Sequence, residues 1–311
     1  MVFVYTHFRG KEIPRLLPIP EQEKQSYTPK SAGMEMQDKS PPLEALTIPV
    51  HVGTMGWSYA DWNGPFYPSA GPGKQAITLY ARAFDVVEID STFYGTPRET
   101  TVRQWVDATP PGFLFCPKVP RLITHDAGLR KVGPPLEDFV ATMALLGEKR
   151  GPMLIQMPPS FTRDQLPDLQ DFLPLLTQLS DKTAQFAIEF RHPSLLGTDV
   201  ADLLAAHGVA LTAASYPGMP KRLELTADFV YLRLIGKHGA YDHHRALQAD
   251  HSAEISRWAT ALRANQSHLK AIYIFCNNDY EGYAPATVNK VRHNLGLPPI
   301  EKPPETQGSL F

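Results

Sequence analysis

The chain has 311 residues, of which 43% are hydrophobic and 20% charged, and its formal net charge is −2. These values are typical of a globular protein with a sizeable core, and they argue against bulk electrostatic attraction to nucleic acid or to a membrane surface. No apolar run approaches the ~18 residues that span a bilayer, and residues 1–10 lack a secretory signal pattern. Cys116 and Cys276 lie far apart in strand-like runs, which predicts buried reduced thiols. We therefore expect a cytoplasmic protein.

Three segments of different composition divide the chain. Residues 1–46 are rich in Pro, Lys, Glu, Gln and Ser and show no sustained apolar period, so we predict an extension that is poorly ordered or lies over the following domain. Residues 47–297 carry the periodic apolar pattern of the main domain. Residues 298–311 form a Pro-rich tail, which predicts an extended tether.

From Pro49 onward, short β-branched or aromatic runs alternate with amphipathic helical segments. The eight predicted strands are 49–54, 85–90, 113–118, 152–157, 185–190, 209–214, 228–235 and 270–276. The predicted helices are 74–84, 97–108 with Thr96 as N-cap, 135–149, 164–179, 198–207, 250–265 and 285–295. The connection after strand six, 215–227, lacks a clear helix. This count predicts an α/β fold, a closed parallel (β/α)8 TIM-type barrel, rather than a doubly wound sheet, whose Gly-rich dinucleotide turn is poorly matched at 53–56.

Six of the strands carry polar residues near their carboxyl ends, all on one parity. These are Glu88, Lys118, Gln156, Glu189 with Arg191, Arg233 and, just past strand eight, Asn277. Apolar residues of the same parity precede them, as inward-facing layers require: Val86, Leu114, Cys116, Leu154, Ala187, Phe229, Tyr231, Tyr273 and Phe275. Barrel enzymes build their sites at this end, so we predict a site there. The alternative is a satisfied salt-bridge layer that only closes the barrel.

The loops at the same end add further candidates. Trp57 and Tyr59, with Trp62, Phe66 and Tyr67, would stack on a base or sugar, or would form a small core over the mouth. Arg121 and His125 follow strand three, where His125 is either an acid–base group or a loop anchor. His192 follows strand five, and a basic loop at 236–245 follows strand seven, which would hold phosphate or lie exposed to solvent. We predict no cofactor and no structural metal, because no HxH or HExxH pair exists, although entry of a divalent ion stays open.

Six segments together resemble the YecE-like family, also called domain of unknown function 72. They are VGTMGWSY (52–59), VEIDSTFY (87–94), KVPRLITH (118–125), QMPP (156–159), EFRHP (189–193), and NN (277–278) with GYA (282–284). The resemblance spans residues 50 to 295 and implies a TIM-barrel fold without supplying a reaction. Asp90, Leu195 and Ala214 depart from the family's pattern, which has Asn, an aromatic residue and an acid there.

The last five residues, Gln307 to Phe311, are similar to the short peptide by which bacterial DNA-replication and repair proteins dock on the sliding clamp. Gln307, Leu310 and Phe311 would fill the partner's pocket, since apolar anchors on a flexible leash suit peptide recognition. Alternatively, the Leu-Phe end folds back on the barrel.

Two functions therefore stay open at this point. The first is an enzyme, a hydrolase or isomerase, or a binding protein that holds an anionic or phosphorylated ligand such as a nucleotide, sugar phosphate or nucleic acid. Its predicted catalytic residues are Glu88, Glu189, Lys118 and His125. Its predicted ligand-binding residues are Trp57, Tyr59, Tyr94, Arg121, Gln156, Arg191, His192, Arg233, Asn277 and Asn278. The second is a non-catalytic DNA-maintenance protein recruited to the sliding clamp, with no membrane partner in either case.

Overall fold

The computed structural model describes the backbone of residues 3–8 and 11–16 and all of residues 46–303. It begins with an antiparallel pair of strands, β1 (Phe3–Phe8) and β2 (Lys11–Leu16). The sequence analysis missed this hairpin. Its signal was the run of aromatic and β-branched residues at 3–8, which is typical of a strand.

The rest of the described chain alternates strands and helices. The strands are β3 (Val50–Met55), β4 (Val86–Ile89), β5 (Leu114–Pro117), β6 (Met153–Gln156), β7 (Phe186–Glu189), β8 (Ala210–Leu211), β9 (Ala213–Ser215), β10 (Phe229–Leu234) and β11 (Ala271–Cys276). The α-helices are α1 (Ala76–Tyr80), α2 (Glu99–Asp107), α3 (Gly133–Ala144), α4 (Leu166–Leu179), α5 (Thr198–Ala206), α6 (Ser252–Asn265), α7 (Asn278–Glu281) and α8 (Ala284–Asn294).

All eight predicted strand positions are confirmed, with one division. The predicted strand 209–214 consists of β8 and β9, which Thr212 separates. The predicted N-cap at Thr96 is wrong, because the chain stays extended through Arg98, which is the residue that precedes α2. The short helix α7 was not predicted, whereas the connection after β9 contains no helix up to β10, as expected.

Two parallel sheets carry these strands. One has six strands in the order β5-β4-β3-β11-β10-β9, and the other has the order β6-β7-β8. The two sheets approach each other at two places. The chain passes directly from β8 to β9, and the amides of Gly151 and Val119 donate to the carbonyl oxygens of Phe115 and Leu154, each at 2.8 Å. The fold is therefore an α/β fold with a central parallel sheet of six strands and a second sheet hydrogen-bonded to its edge.

Two apolar clusters hold these layers together. The larger one joins the helices to the strand faces that point toward them. The smaller one collects strand residues of the opposite parity, together with Ala227 just before β10: Met55, Val86, Cys116, Leu154, Ala187, Ala210, Ala227, Phe229, Tyr231, Tyr273 and Phe275. The predicted shared parity of these strand residues is confirmed. Gly53 lies on this same side, where an added Cβ would be 2.2 Å from the carbonyl oxygen of Val86.

None of the helices within residues 46–303 combines the length and the apolar character that a membrane crossing requires.

Candidate functional site

Three charged side chains at the carboxyl ends of β4, β7 and β10 meet in one buried network. Arg233 donates to Glu88 through Nε (2.9 Å) and Nη2 (2.7 Å), and to Glu189 through Nη1 (2.6 Å). None of the three side chains is more than 3% exposed. The guanidinium therefore bridges two carboxylates that lie on different sheets, with charge-assisted bonds to both.

Each carboxylate has a second partner. The Tyr231 hydroxyl donates to Oε2 of Glu88 at 2.8 Å, and Nε of Arg191 donates to Oε1 of Glu189. The Arg191 guanidinium also lies 3.7 Å from the centre of the Tyr216 ring. Both carboxylates are thus occupied by cationic or hydroxyl donors within the described part of the chain.

The environments of the two carboxylates differ. Burial raises the pKa of Glu88 above its usual range, with Arg233 opposing and Asp90 adding to the effect. Burial acts in the same direction on Glu189, but Arg233 and Arg191 together outweigh it and lower the pKa of that carboxyl. The two carboxyl groups therefore have pKa values shifted in opposite directions, because Glu189 has two arginine partners and Glu88 has one.

Lys118 follows β5 and brings an amine to the edge of this network. Its Nζ lies 3.8 Å from Oδ1 of Asp90 and 4.3 Å from the centre of the Phe93 ring. Burial, followed by the positive charge of Arg233, lowers the pKa of Lys118, while Asp90 and Glu88 oppose the change. Within residues 46–303 the amine donates no hydrogen bond at all, unlike the guanidinium of Arg233.

The loop after β5 places His125 beside Lys118 and leaves Arg121 outside. The His125 ring meets the Phe93 ring edge to face at 4.8 Å, and its Nδ1 is 2.8 Å from the Thr124 hydroxyl. Burial, followed by Lys118 and Arg121, lowers the pKa of His125. Arg121 is exposed and pairs with Asp126 at 3.0 Å.

The loops after β3 and β4 contribute aromatic side chains in two different settings. Trp57 packs on Trp105 of α2, with ring centres 6.0 Å apart, and so belongs to the outer layer. The Tyr59 hydroxyl donates to the carbonyl of Met55, and its ring lies 4.9 Å from that of the buried Trp62. Tyr94, in contrast, is 80% exposed. The first loop is therefore a small aromatic core, whereas Tyr94 is a free aromatic surface.

The remaining candidate residues differ in whether their side chains have structural partners among the described residues. Gln156 ends β6 opposite Glu189, and its amide has no protein partner within the described residues. His192 bonds locally to Ser194, at 2.7 Å from its hydroxyl. Asn277 caps α7, and Asn278 accepts from the Trp62 indole at 3.1 Å and from the Ala284 amide at 3.0 Å. His192, Asn277 and Asn278 thus have structural partners, whereas the side chain of Gln156 has none in the part of the chain that the structure describes.

The basic loop at 236–245 is fastened by acids. The amide of His244 donates to Asp61 at 2.7 Å, and Nε of Arg245 lies 3.3 Å from the same carboxylate. His238 pairs with Asp279 at 3.1 Å. Gly236 lets the loop pass close to this acid, since a Cβ there would be 2.0 Å from the Asp279 carbonyl oxygen.

The sequence analysis did not assign several groups that complete the site. Tyr231 was read as an inward apolar residue, although it lies two positions before Arg233 on the same parity, which was the available signal. Phe93 and Tyr216 contact Lys118 and Arg191, and nothing in their local sequence pattern distinguishes them from ordinary loop aromatics. Across the described segments, no group of three or more His, Cys, Asp or Glu side chains is arranged to hold a metal ion. Gln307, Leu310 and Phe311 lie outside the described residues.

Comparison with known proteins identifies a family and several relatives. The family model "Protein of unknown function DUF72" matches residues 51–308. The UPF0759 protein YecE of Escherichia coli K12 is 31% identical over 144 residues, which cover 46% of this chain and 49% of that protein. The UPF0759 protein YunF of Bacillus subtilis is 29% identical over 118 residues, 36% of this chain and 41% of its own length. The matched regions thus span about half the length of these curated relatives, or less.

Solved structures support the fold. A DUF72 family protein from Thermotoga maritima is 26% identical, with a TM-score of 0.66, and the match covers 78% of this chain and 98% of that one. A DUF72 family protein from Enterococcus faecalis is 21% identical, with a TM-score of 0.64, over 81% of this chain and 100% of that one. Because the family model extends over most of the sequence, the chain belongs to the DUF72 family.

Proposed function

We propose that the protein binds a small anionic or phosphorylated ligand at the mouth of a closed (β/α)8 barrel, where it acts on that ligand as an enzyme. The mouth is the set of carboxyl strand ends and following loops that carries Lys118, Gln156, Glu189, Arg191 and Arg233. The observation that carries the proposal is the contrast between satisfied and free polar groups within this set.

The proposal first requires that the two sheets close into one barrel. Every strand from β3 to β11 except β9 contributes to the smaller apolar cluster, which is what a barrel interior requires. The backbone bonds between Phe115 and Gly151 and between Val119 and Leu154 supply the seam on one side. The continuous chain from β8 to β9 supplies the other. We infer that the two sheets form one barrel with a single mouth.

The free donors then lie on three consecutive strand ends. Lys118 follows β5, Gln156 ends β6, and Arg191 lies two residues past β7. Within residues 46–303, the Lys118 amine, the Gln156 amide and both Nη atoms of Arg191 have no hydrogen-bond partner. A phosphate or carboxylate group placed among them would gain charge-assisted bonds from these groups.

The buried network plays a supporting part in this proposal. Arg233 is fully engaged by Glu88 and Glu189, and Arg191 is aimed by Glu189 and by the Tyr216 ring. We assign Glu88 and Glu189 to holding these cations in place and keeping the mouth electrically balanced. Lys118 and His125, both with lowered pKa values, are the groups left to transfer protons in a hydrolysis or isomerisation.

The test is a calorimetric titration with inorganic phosphate, a sugar phosphate, a nucleoside monophosphate and a short single-stranded oligonucleotide. We expect binding of at least one phosphorylated compound, and its loss in Lys118→Met and Arg191→Met. Lys270→Met and Arg103→Met are the matched controls, because these exposed cations pair on the outside of the domain. Binding that the mouth variants leave unchanged would contradict the proposal.

A second candidate function, a DNA-maintenance protein recruited to the sliding clamp, rests on Gln307 to Phe311. The tail before this peptide is attached to the domain. The Ile300 amide donates to Asn289 at 2.8 Å, and Lys302 donates to the Gly64 carbonyl. Residues 304–311 could then extend at most roughly 26–29 Å from this attachment. A clamp pull-down tests the idea, and undiminished capture of Leu310→Ala and Phe311→Ala variants would exclude it.

A further inference from the structure

We propose that Lys118 is a nucleophilic amine, which condenses with the carbonyl group of an anionic aldehyde or ketone to form an imine. This inference rests on the proposed function, because the anion-binding groups of the mouth would orient the carbonyl compound. It goes further by naming a covalent step and the substrate class, a phosphorylated or carboxylated carbonyl compound.

Lys118 differs from three other partly buried lysines, Lys149, Lys221 and Lys290. Lys149 donates to the carbonyls of Val106 and Thr109, both at 2.6 Å, and Lys290 donates to Asp250 and Glu281, both at 2.9 Å. Lys221 likewise donates to Glu254, so each of these three amines is held by oxygen acceptors. The Lys118 amine has one acid, Asp90, at 3.8 Å, and donates no hydrogen bond within the described residues. Of these four amines, that of Lys118 is the one that no hydrogen bond to an oxygen acceptor holds among residues 46–303.

The backbone of Lys118 is held rigidly. Its amide donates to the Ile89 carbonyl at 3.2 Å and to the Thr92 hydroxyl at 3.0 Å. The same hydroxyl donates to the Lys118 carbonyl at 2.7 Å. Thr92 is 1% exposed, so these hydrogen bonds are shielded from water. The side chain therefore starts from a fixed strand end, and only its flexible stem has to adjust to a substrate.

The groups around Nζ of Lys118 favour the neutral amine before the reaction and the cationic iminium ion after it. Burial and the nearby Arg233 lower the pKa of Lys118, which raises the fraction of nucleophile near neutral pH. The face of the Phe93 ring, 4.3 Å from Nζ, would stabilise the iminium ion that forms at the same place. Gln156 and Arg191, on the next two strand ends, would bind the anionic group of the substrate.

The bond changes balance without an external oxidant or reductant. The ammonium first releases a proton to Asp90 or to water. The Nζ lone pair then forms a bond to the carbonyl carbon as the carbon–oxygen π bond breaks. The nitrogen gives up one proton and the oxygen gains one, carried by water or His125, which yields the neutral carbinolamine. The proton released at the first step then returns to the carbinolamine hydroxyl, which leaves as water as the nitrogen lone pair forms the C=N bond of the iminium ion. Hydrolysis by the reverse route returns the free amine.

The experiment is reductive trapping of the full chain with glyceraldehyde 3-phosphate and sodium cyanoborohydride at neutral pH, followed by peptide mass spectrometry. We expect a reduced adduct on Lys118 before any on the exposed Lys270, and its suppression by excess inorganic phosphate. Lys118→Met is expected to lose this adduct, while Lys270→Met is expected to keep it. Adducts on exposed lysines alone, or equal labelling of Lys118 and Lys270, would overturn the proposal.

A second variant separates this inference from the proposed function. Lys118→Arg keeps the positive charge but has no amine that can form an imine. If the imine proposal holds, the Lys118→Arg protein binds inorganic phosphate and shows no trapping at position 118. Phosphate binding by wild type without trapping at Lys118 refutes the imine alone, whereas absence of both refutes the anion site as well.

Discussion

The replacement of Arg233 by Met tests the buried network most severely. The guanidinium makes three charge-assisted bonds to Glu88 and Glu189, at 2.9, 2.7 and 2.6 Å, and all three side chains are nearly inaccessible to solvent. Methionine fills a similar volume without charge, so its main effect is to leave the buried Glu88 carboxylate with only the Tyr231 hydroxyl, while Glu189 keeps Arg191 as its one cationic partner. Removing one partner of a buried ion pair costs about 3–5 kcal/mol. We expect a loss of that size in the free energy of unfolding.

Urea denaturation followed by circular dichroism measures this loss, and a double-mutant cycle identifies its origin. In Glu88→Gln/Arg233→Met, the orphaned Glu88 charge is absent, so we expect the double variant to lose less than the sum of the single variants. Arg103→Met, at an exposed pair on α2, is the matched control and should change stability by less than about 1 kcal/mol. A loss below about 1 kcal/mol in Arg233→Met, or strict additivity in the cycle, would refute the reasoning, because neither fits a buried, uncompensated charge.

Two further predictions concern stability. The pKa of Glu88 is raised above about 4.5, so its contribution to stability is present at low pH and is lost as the pH rises through the folded-state value. The pKa of Glu189 is lowered, so its contribution is present above about 4.5 and is lost as the pH falls through the folded-state value. The stability gap to wild type should therefore narrow with rising pH for Glu88→Gln and widen for Glu189→Gln; parallel urea-denaturation profiles would contradict this. Gly53→Ala should lower the free energy of unfolding by about 1–3 kcal/mol, because its Cβ would lie 2.2 Å from a backbone oxygen, whereas Gly133→Ala, with open space around it, should be close to neutral.

Strand positions and inward parity could be predicted because both depend on local sequence. β-branched and aromatic runs between turn residues mark a strand, and its period of two assigns each side chain to a face. Hence Glu88, Glu189 and Arg233 were expected to lie on the same face of their strands, and their side chains do meet. The sixth predicted strand, 209–214, is divided at Thr212 into β8, which pairs with β7, and β9, which pairs with β10. This division was not predictable, because a change of pairing partner leaves no signature in a short apolar run.

The partners within the site depend on side-chain geometry that spacing does not reveal. Asn278 follows a strand like any ligand-binding amide, yet its carbonyl oxygen accepts from the Trp62 indole and an amide. Trp57 is the type of residue that stacks on a base or sugar, but its ring packs on Trp105. Lys118 and Arg233 are both basic residues at strand ends, and only the structure separates the satisfied cation from the one without hydrogen-bond acceptors among residues 46–303.

The most direct test of the anion site is a crystal structure of the protein soaked with inorganic phosphate. The account predicts phosphate oxygens about 2.7–3.1 Å from Nζ of Lys118 and from an Nη atom of Arg191, with the Arg233 bridge intact. Phosphate bound elsewhere on the surface, with water at Lys118 and Arg191, would contradict it.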